Sequence, residues 1–195
     1  MPAVSSHLLE EPMSTPDGAA TVRLVGDAPG RAAALAELAA RTFPLACPKW
    51  LARKDIDAFI AHHLDIGSFR AYLNDPECRV FIAGPADAPV GYALALHGIG
   101  HSDCPPGWKS EHTAYLSKLY VDPARHGTGT AAALMDEVVR AARADECAAV
   151  WLGVNEENDR AKRFYRKFGF EPVARRSFRL GDRTFDDEVL GRRLR

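Results

Sequence analysis

The chain has 195 residues, 47% of them hydrophobic, and a formal net charge of -1. That is enough apolar material for one sizeable domain, and so even a charge balance excludes the basic stripe by which a protein holds nucleic acid or an anionic membrane. Cys47, Cys78, Cys104 and Cys147 form no C-x-x-C pair, no apolar leader opens the chain and no run approaches the roughly 18 apolar residues of a bilayer span, so a soluble, reduced, cytoplasmic protein is expected.

Residues 1–19 mix Pro, Ser, Glu and Gly without periodicity and are expected to form a flexible arm, leaving 20–195 as the folded domain. "TVRLV" reads as a first strand, and "GRAAALAELAARTF" as a helix whose Ala33, Leu35, Leu38 and Ala39 share one face. Two short helical patterns follow, "KDIDAFIAHHL" and "SFRAYLND", with faces suited either to core packing or to covering a cleft. "CRVFIAG" and "APVGYALALHG" read as an antiparallel hairpin, and "HTAYLSKLYV" as the fourth strand. A helix to about Ala144, the strand "AAVWLGV", the helix "NDRAKRFYRKFGF" stopped at Gly169, and two closing strands joined at Gly181 and Asp182 complete the chain. This order predicts a mixed α/β domain in which the fourth and fifth strands, joined through a helix, are parallel neighbours.

Between the fourth strand and its helix lies "VDPARHGTGTAAALMDE". Glycines running into a helix start leave backbone N–H groups without intrahelical partners beside the positive end of the helix dipole, a setting for phosphate. A nucleoside triphosphatase would follow its glycines with Lys and Ser or Thr, but Gly129 is followed by Thr130, Ala131 and Ala132. "GTGTAA" fits the dinucleotide pattern G-x-G-x-x-A formally, with Asp145 downstream, yet "DPARH" intervenes where that turn leaves its strand almost directly, and Asp145 precedes the next strand instead of ending it.

"HGTGTA", His126 to Ala131, resembles the pyrophosphate motif Q/R-x-x-G-x-G/A of the GCN5-related N-acetyltransferase (GNAT) family, with His126 standing where Gln or Arg is usual. "NDRAKRFYRKFGF" resembles the same family's N-x-x-A-x-x-F-Y-x-x-x-G-F segment through Asn158, Ala161, Phe164, Tyr165, Gly169 and Phe170. "LSKLYV", "WLGVNEEN" and the closing strands are further similar to its bacterial polyamine acetyltransferase (PaiA) type.

The resemblance implies the GNAT fold: a central, mostly antiparallel sheet flanked by helices, with parallel strands four and five splayed apart. It implies acetyl-CoA as the cofactor, held through Leu119, Tyr120 and Val121 of strand four, through His126, Gly127, Thr128, Gly129, Thr130 and Ala131 of the turn, and through Asn158 and Tyr165. Tyr165 is the implied general acid, suited because a phenol keeps its proton at neutral pH. Asn158 also reads as an N-cap.

The base is less specified. The family's usual Glu on strand four is here Tyr115; alternation puts Glu111, Thr113, Tyr115 and Ser117 on one face, leaving Glu111, through water, or His112 as candidates. The expected acceptor is the primary amine of a small molecule, with polyamines among the candidates; a protein amine, or a non-catalytic acyl-CoA-binding module, are the alternatives. His97, His101, Asp103, Cys104 and His112 gather around one loop, but no helix fixes two of them for a metal, and none is expected. Edge strands at the C-terminal end make a homodimer an expectation.

Overall fold

The computed structural model describes residues 20–98, 104–109, 112–180 and 183–194; the expected N-terminal arm lies outside them. The elements are β1 (Val22–Val25), α1 (Arg31–Thr42), a 3-10 turn (Phe43–Leu45), α2 (Arg53–His63), α3 (Ile66–Asn74), β2 (Cys78–Ala83), β3 (Gly91–His97), β4 (Thr113–Val121), a second 3-10 turn (Pro123–Arg125), α4 (Thr130–Ala144), β5 (Ala149–Asn155), α5 (Asp159–Lys167), β6 (Glu171–Leu180) and β7 (Arg183–Arg193). Seven strands form one sheet in the order β1-β2-β3-β4-β5-β7-β6. Every neighbouring pair is antiparallel except β4 and β5, as the crossover through α4 requires.

Each sheet face has its own apolar core. On one, Leu134, Met135, Val138 and Ala142 of α4 recur at helical spacing and pack with Phe81, Leu116, Leu152 and Phe170. On the other, Leu35, Leu38 and Ala39 of α1, Ile56 of α2 and Phe69 of α3 cover Val80, Ile82, Tyr92 and Leu94. Burial of the larger of these side chains, each contributing about 1.5–3 kcal/mol, fixes helices on both faces, and the sheet itself parts in its middle, between β4 and β5.

That parting follows from strand register. β4 and β5 pair only through Thr113, Ala114 and Tyr115 opposite Ala149, Val150 and Trp151. This end is clamped: Tyr115 stacks on Trp151 with centroids 4.3 Å apart, and the Trp151 indole N–H donates to Thr113 Oγ1 at 3.2 Å. Just beyond, Leu94 of β3 faces Lys118 and Ala95 faces Leu116, so Ser117 has no opposite residue. Such a bulge bends its strand and tightens the local twist. β4 stays on β3 while β5 stays on β7 along its whole length, and the two diverge.

The bulge corrects the expected alternation of β4. Thr113 and Tyr115 do share a face, but beyond Ser117 the phase shifts by one residue. Tyr120 therefore packs into the α1–α3 core, stacked on Tyr92 at 5.6 Å, and Leu119 and Val121 pack on the α4 side. Lys118 joins the face of Tyr120, its ammonium over the Tyr72 ring of α3.

Candidate active site

Where β4 and β5 separate, a cavity of about 300 Å³ opens. Its floor is the β4 stretch from Tyr115 to Tyr120; Gly153 to Asn155 of β5, with Asn158 and Tyr165, form one wall, and apolar residues of the α1–α2 segment the other. The backbone edge of β4 that faces β5 has no β5 partner after Tyr115, so fixed amide dipoles line the gap at little reorganisation cost.

At the far end of β4 the chain turns into α4. Gly127 and Gly129 both take left-handed conformations, with φ of 82° and 81°, which only glycine adopts freely. Both are exposed, and a Cβ at Gly127 would meet nothing within 4 Å. Gly129 is the N-cap of α4 and supplies no side-chain acceptor, and no acidic residue stands in the first turn, so the helix dipole is uncompensated there, although Thr130 itself is fully buried. The loop is braced from behind. Thr128 Oγ1 donates to the Arg125 carbonyl at 2.8 Å and lies 2.9 Å from Thr130 Oγ1, while His126 Nε2 sits 3.1 Å from the Val121 carbonyl. The His126 ring thus ties the loop to β4. An uncapped helix start behind a glycine turn is a setting in which backbone amides can receive an anion.

Residues 33–170 match the model of the acetyltransferase (GNAT) family. The chain belongs to that family. An uncharacterized N-acetyltransferase of Mycobacterium bovis is 42% identical over 160 residues, covering 82% of this chain and 96% of its own. The PaiA N-acetyltransferase of Thermoplasma acidophilum, solved in complex with coenzyme A, superposes with a TM-score of 0.69 at 14% identity, over 89% of this chain and 99% of that one. YncA of Salmonella typhimurium, solved with its cofactor acetyl-CoA, gives 0.62 at 18% identity over 90% and 94%. At those identities the solved structures share the GNAT fold.

In this GNAT member Tyr165 lies on α5 with its ring against Phe164 and Phe170 and lines the cavity. Burial, and then the neighbouring Tyr115, push its phenol above the ordinary value. Its hydroxyl has no hydrogen-bond partner among the described residues. Asn158 caps α5, its Oδ1 accepting from the Ala161 amide at 3.0 Å, and also lines the cavity. The basic face of α5 is partly committed: Lys162 is buried and paired with Asp159 at 3.2 Å and Glu188 at 3.7 Å, whereas Arg160 and Arg163 are exposed.

Three further side chains, Arg176, Asp187 and Lys118, carry charge into the cavity. Arg176 of β6 donates from Nε to Asp187 of β7 at 3.3 Å and from Nη2 to the Tyr115 hydroxyl at 3.2 Å. Gly153 makes room for this guanidinium, since a Cβ there would stand 2.7 Å from Arg176 Nε. The third is Lys118. Asp186, by contrast, is exposed beside Ser177.

The candidate base Glu111 lies outside the described residues, as do His101 and Asp103. His112 is exposed, and its carbonyl accepts from the Ala148 amide at 2.7 Å. His97 is buried with Nδ1 2.7 Å from Asp145 Oδ2, an oxygen that also receives Arg79 at 2.9 Å. The expected loop cluster is therefore divided, with His97 committed to a structural pair. No group of three His, Cys, Asp or Glu able to hold a metal occurs among the described residues, and no described helix is long and apolar enough to cross a membrane.

Proposed function

We propose that this chain transfers an acetyl group from acetyl-CoA directly to the primary amine of a small molecule. The observation that carries the reading is the open front of α4 at one end of the gap between β4 and β5, with Tyr165 farther along that gap. The amides of Gly127, Thr128, Gly129, Thr130 and Ala131 hold the diphosphate, braced by His126. The free β4 edge at Leu119, Tyr120 and Val121 pairs with the amide-bearing arm, and Asn158 and Tyr165 bound it from α5. The donor supplies an activated thioester carbonyl. Tyr165 supplies a proton at the sulfur end of the cavity, where a leaving thiolate of reference pKa about 8.5 needs one.

Direct transfer is favoured by the state of the one cavity cysteine. Burial pushes the Cys47 thiol up to about 11, and its S–H points to the Phe43 carbonyl at 3.4 Å. A protonated thiol is a poor nucleophile. Cys47→Ala is expected to keep kcat within about threefold, with intersecting initial-velocity lines in place of the parallel lines of a covalent acyl-enzyme.

The reading is tested by calorimetry with coenzyme A, followed by an acceptor screen for free thiol using polyamines, amino acids and aminoglycosides. Heat on binding and thiol release with at least one small amine are expected. Binding without release for any amine leaves an acyl-CoA-binding module instead.

A further inference from the structure

Lys118 is a charge whose setting the transfer reaction does not explain. It sits at the β4 bulge, lines the cavity and is only partly exposed. Its ammonium lies 3.2 Å from Ser117 Oγ and 4.7 Å from the centroid of the Tyr72 ring. Among the described residues no carboxylate pairs with it. Burying a cation without an anion is costly, and burial lowers this ammonium to about 8. At pH 7 it is still charged by about ten to one. A cation so held has one unmet demand, an anion.

The bulge decides which ligand could meet it. Lys118 and Tyr120 lie on the face opposite α4, so Lys118 points away from the helix front proposed to hold the diphosphate. An anion beside it belongs to the acceptor. The other charges lining the cavity are Arg176 and Asp187, already joined at 3.3 Å, which leaves the described lining with one net positive charge. A polycation entering here meets Lys118 with no carboxylate to offset it.

The remaining wall is apolar. Phe43 and Phe59 stack at 4.7 Å, and Tyr120 meets Phe43 edge-on at 6.3 Å, a surface for an aliphatic or aromatic body.

Resting on the acetyltransferase reading, we infer that the acceptor is an amine carrying a carboxylate, as an amino acid does, and that Lys118 binds the carboxylate from the bulge of β4 while the apolar wall receives the side chain. Lys118 is here an acceptor-specificity residue.

The test compares leucine with leucinamide, which share an amine and a side chain and differ in the carboxylate. The readout is the ratio of their kcat/KM values in the wild type, Lys118→Met and Lys118→Arg. The ratio is expected to fall at least about tenfold in Lys118→Met, equivalent to about 1.4 kcal/mol, and to recover much of that in Lys118→Arg, because arginine restores the charge that pairs with the carboxylate. Calorimetry with coenzyme A on each variant confirms that the fold and donor site persist. A ratio that does not change among the three proteins overturns the assignment, as does a wild type that acetylates spermidine faster than any amine bearing a carboxylate. Turnover of leucinamide with indifference to leucine's carboxylate overturns this inference alone; the absence of thiol release with every amine overturns the acetyltransferase reading and this with it.

Discussion

Tyr165→Phe is expected to lower kcat by about 10²–10⁴-fold while coenzyme A binding stays within about twofold of the wild type. The two halves of that expectation come from different observations. The ring is held by Phe164 and Phe170, contacts that phenylalanine keeps, and the hydroxyl has no protein partner among the described residues, so its removal leaves no buried group unpaired and stability should change by less than about 0.5 kcal/mol. What is lost is a proton at the sulfur end of the cavity. Because burial raises this phenol, it is a weaker acid than a thiol and does not surrender its proton unaided. On the proposed reading it acts as a relay, Oη giving its proton to sulfur as it receives one from the attacking amine, so that no phenolate accumulates. The sign of the shift gives a second check. A raised phenol stays neutral to higher pH, so the wild-type kcat should show no falling limb near the ordinary tyrosine value of about 10. Steady-state kinetics of both proteins across pH decide it; a variant with undiminished kcat removes Tyr165 from the chemistry.

How much of this was legible in the residues varies from element to element, for physical reasons. The helix stop at Gly169 was, because glycine conformations are local: that residue carries the positive φ of a left-handed C-terminal cap. The parallel placement of β4 and β5 was also legible, since it follows from the length of the crossover. The bulge was not. It is a property of two strands in register, Leu94 against Lys118 and Ala95 against Leu116, and Ser117 has no feature that announces it. Strict alternation therefore put Ser117 on the face of Tyr115 and left Lys118 unremarked, although a lysine inside the run "LSKLYV" is itself an unusual choice for a half-buried strand.

Arg176 and Asp187 are a middle case. Once Leu180 stands opposite Arg183, as a two-residue link between the closing strands dictates, Arg176 must stand opposite Asp187. That pairing could be counted from the turn, but its entry into the cavity depends on Gly153 of β5, which leaves space for the guanidinium. Residues of β4, β5, β6 and β7 meet there, beyond the reach of any single-segment pattern.

Gly127→Asn is the substitution that separates backbone conformation from ligand space. At a φ of 82° most residues would be strained, and a loss of affinity in an alanine or valine variant could be blamed on a distorted loop. Asparagine enters the left-handed region at modest cost, and its side chain meets nothing, since a Cβ here has no heavy atom within 4 Å. The ligand-free protein should therefore lose about 1 kcal/mol of stability, the low end of the cost of a left-handed residue other than glycine. With the diphosphate in front of α4, that same open space is filled, and the added amide group must displace either the ligand or the loop. Calorimetry should register a Kd for coenzyme A raised about 10–100-fold, equivalent to about 1.4–2.8 kcal/mol, with the melting temperature nearly unchanged. An unaltered Kd would place the diphosphate elsewhere, and the turn from Gly127 to Gly129 would then be an ordinary helix start in water. The contrast between an unchanged fold and a weakened complex is what an anion cradle made of main chain predicts, because its donors are fixed by backbone geometry and its selectivity lies in the side chains it omits.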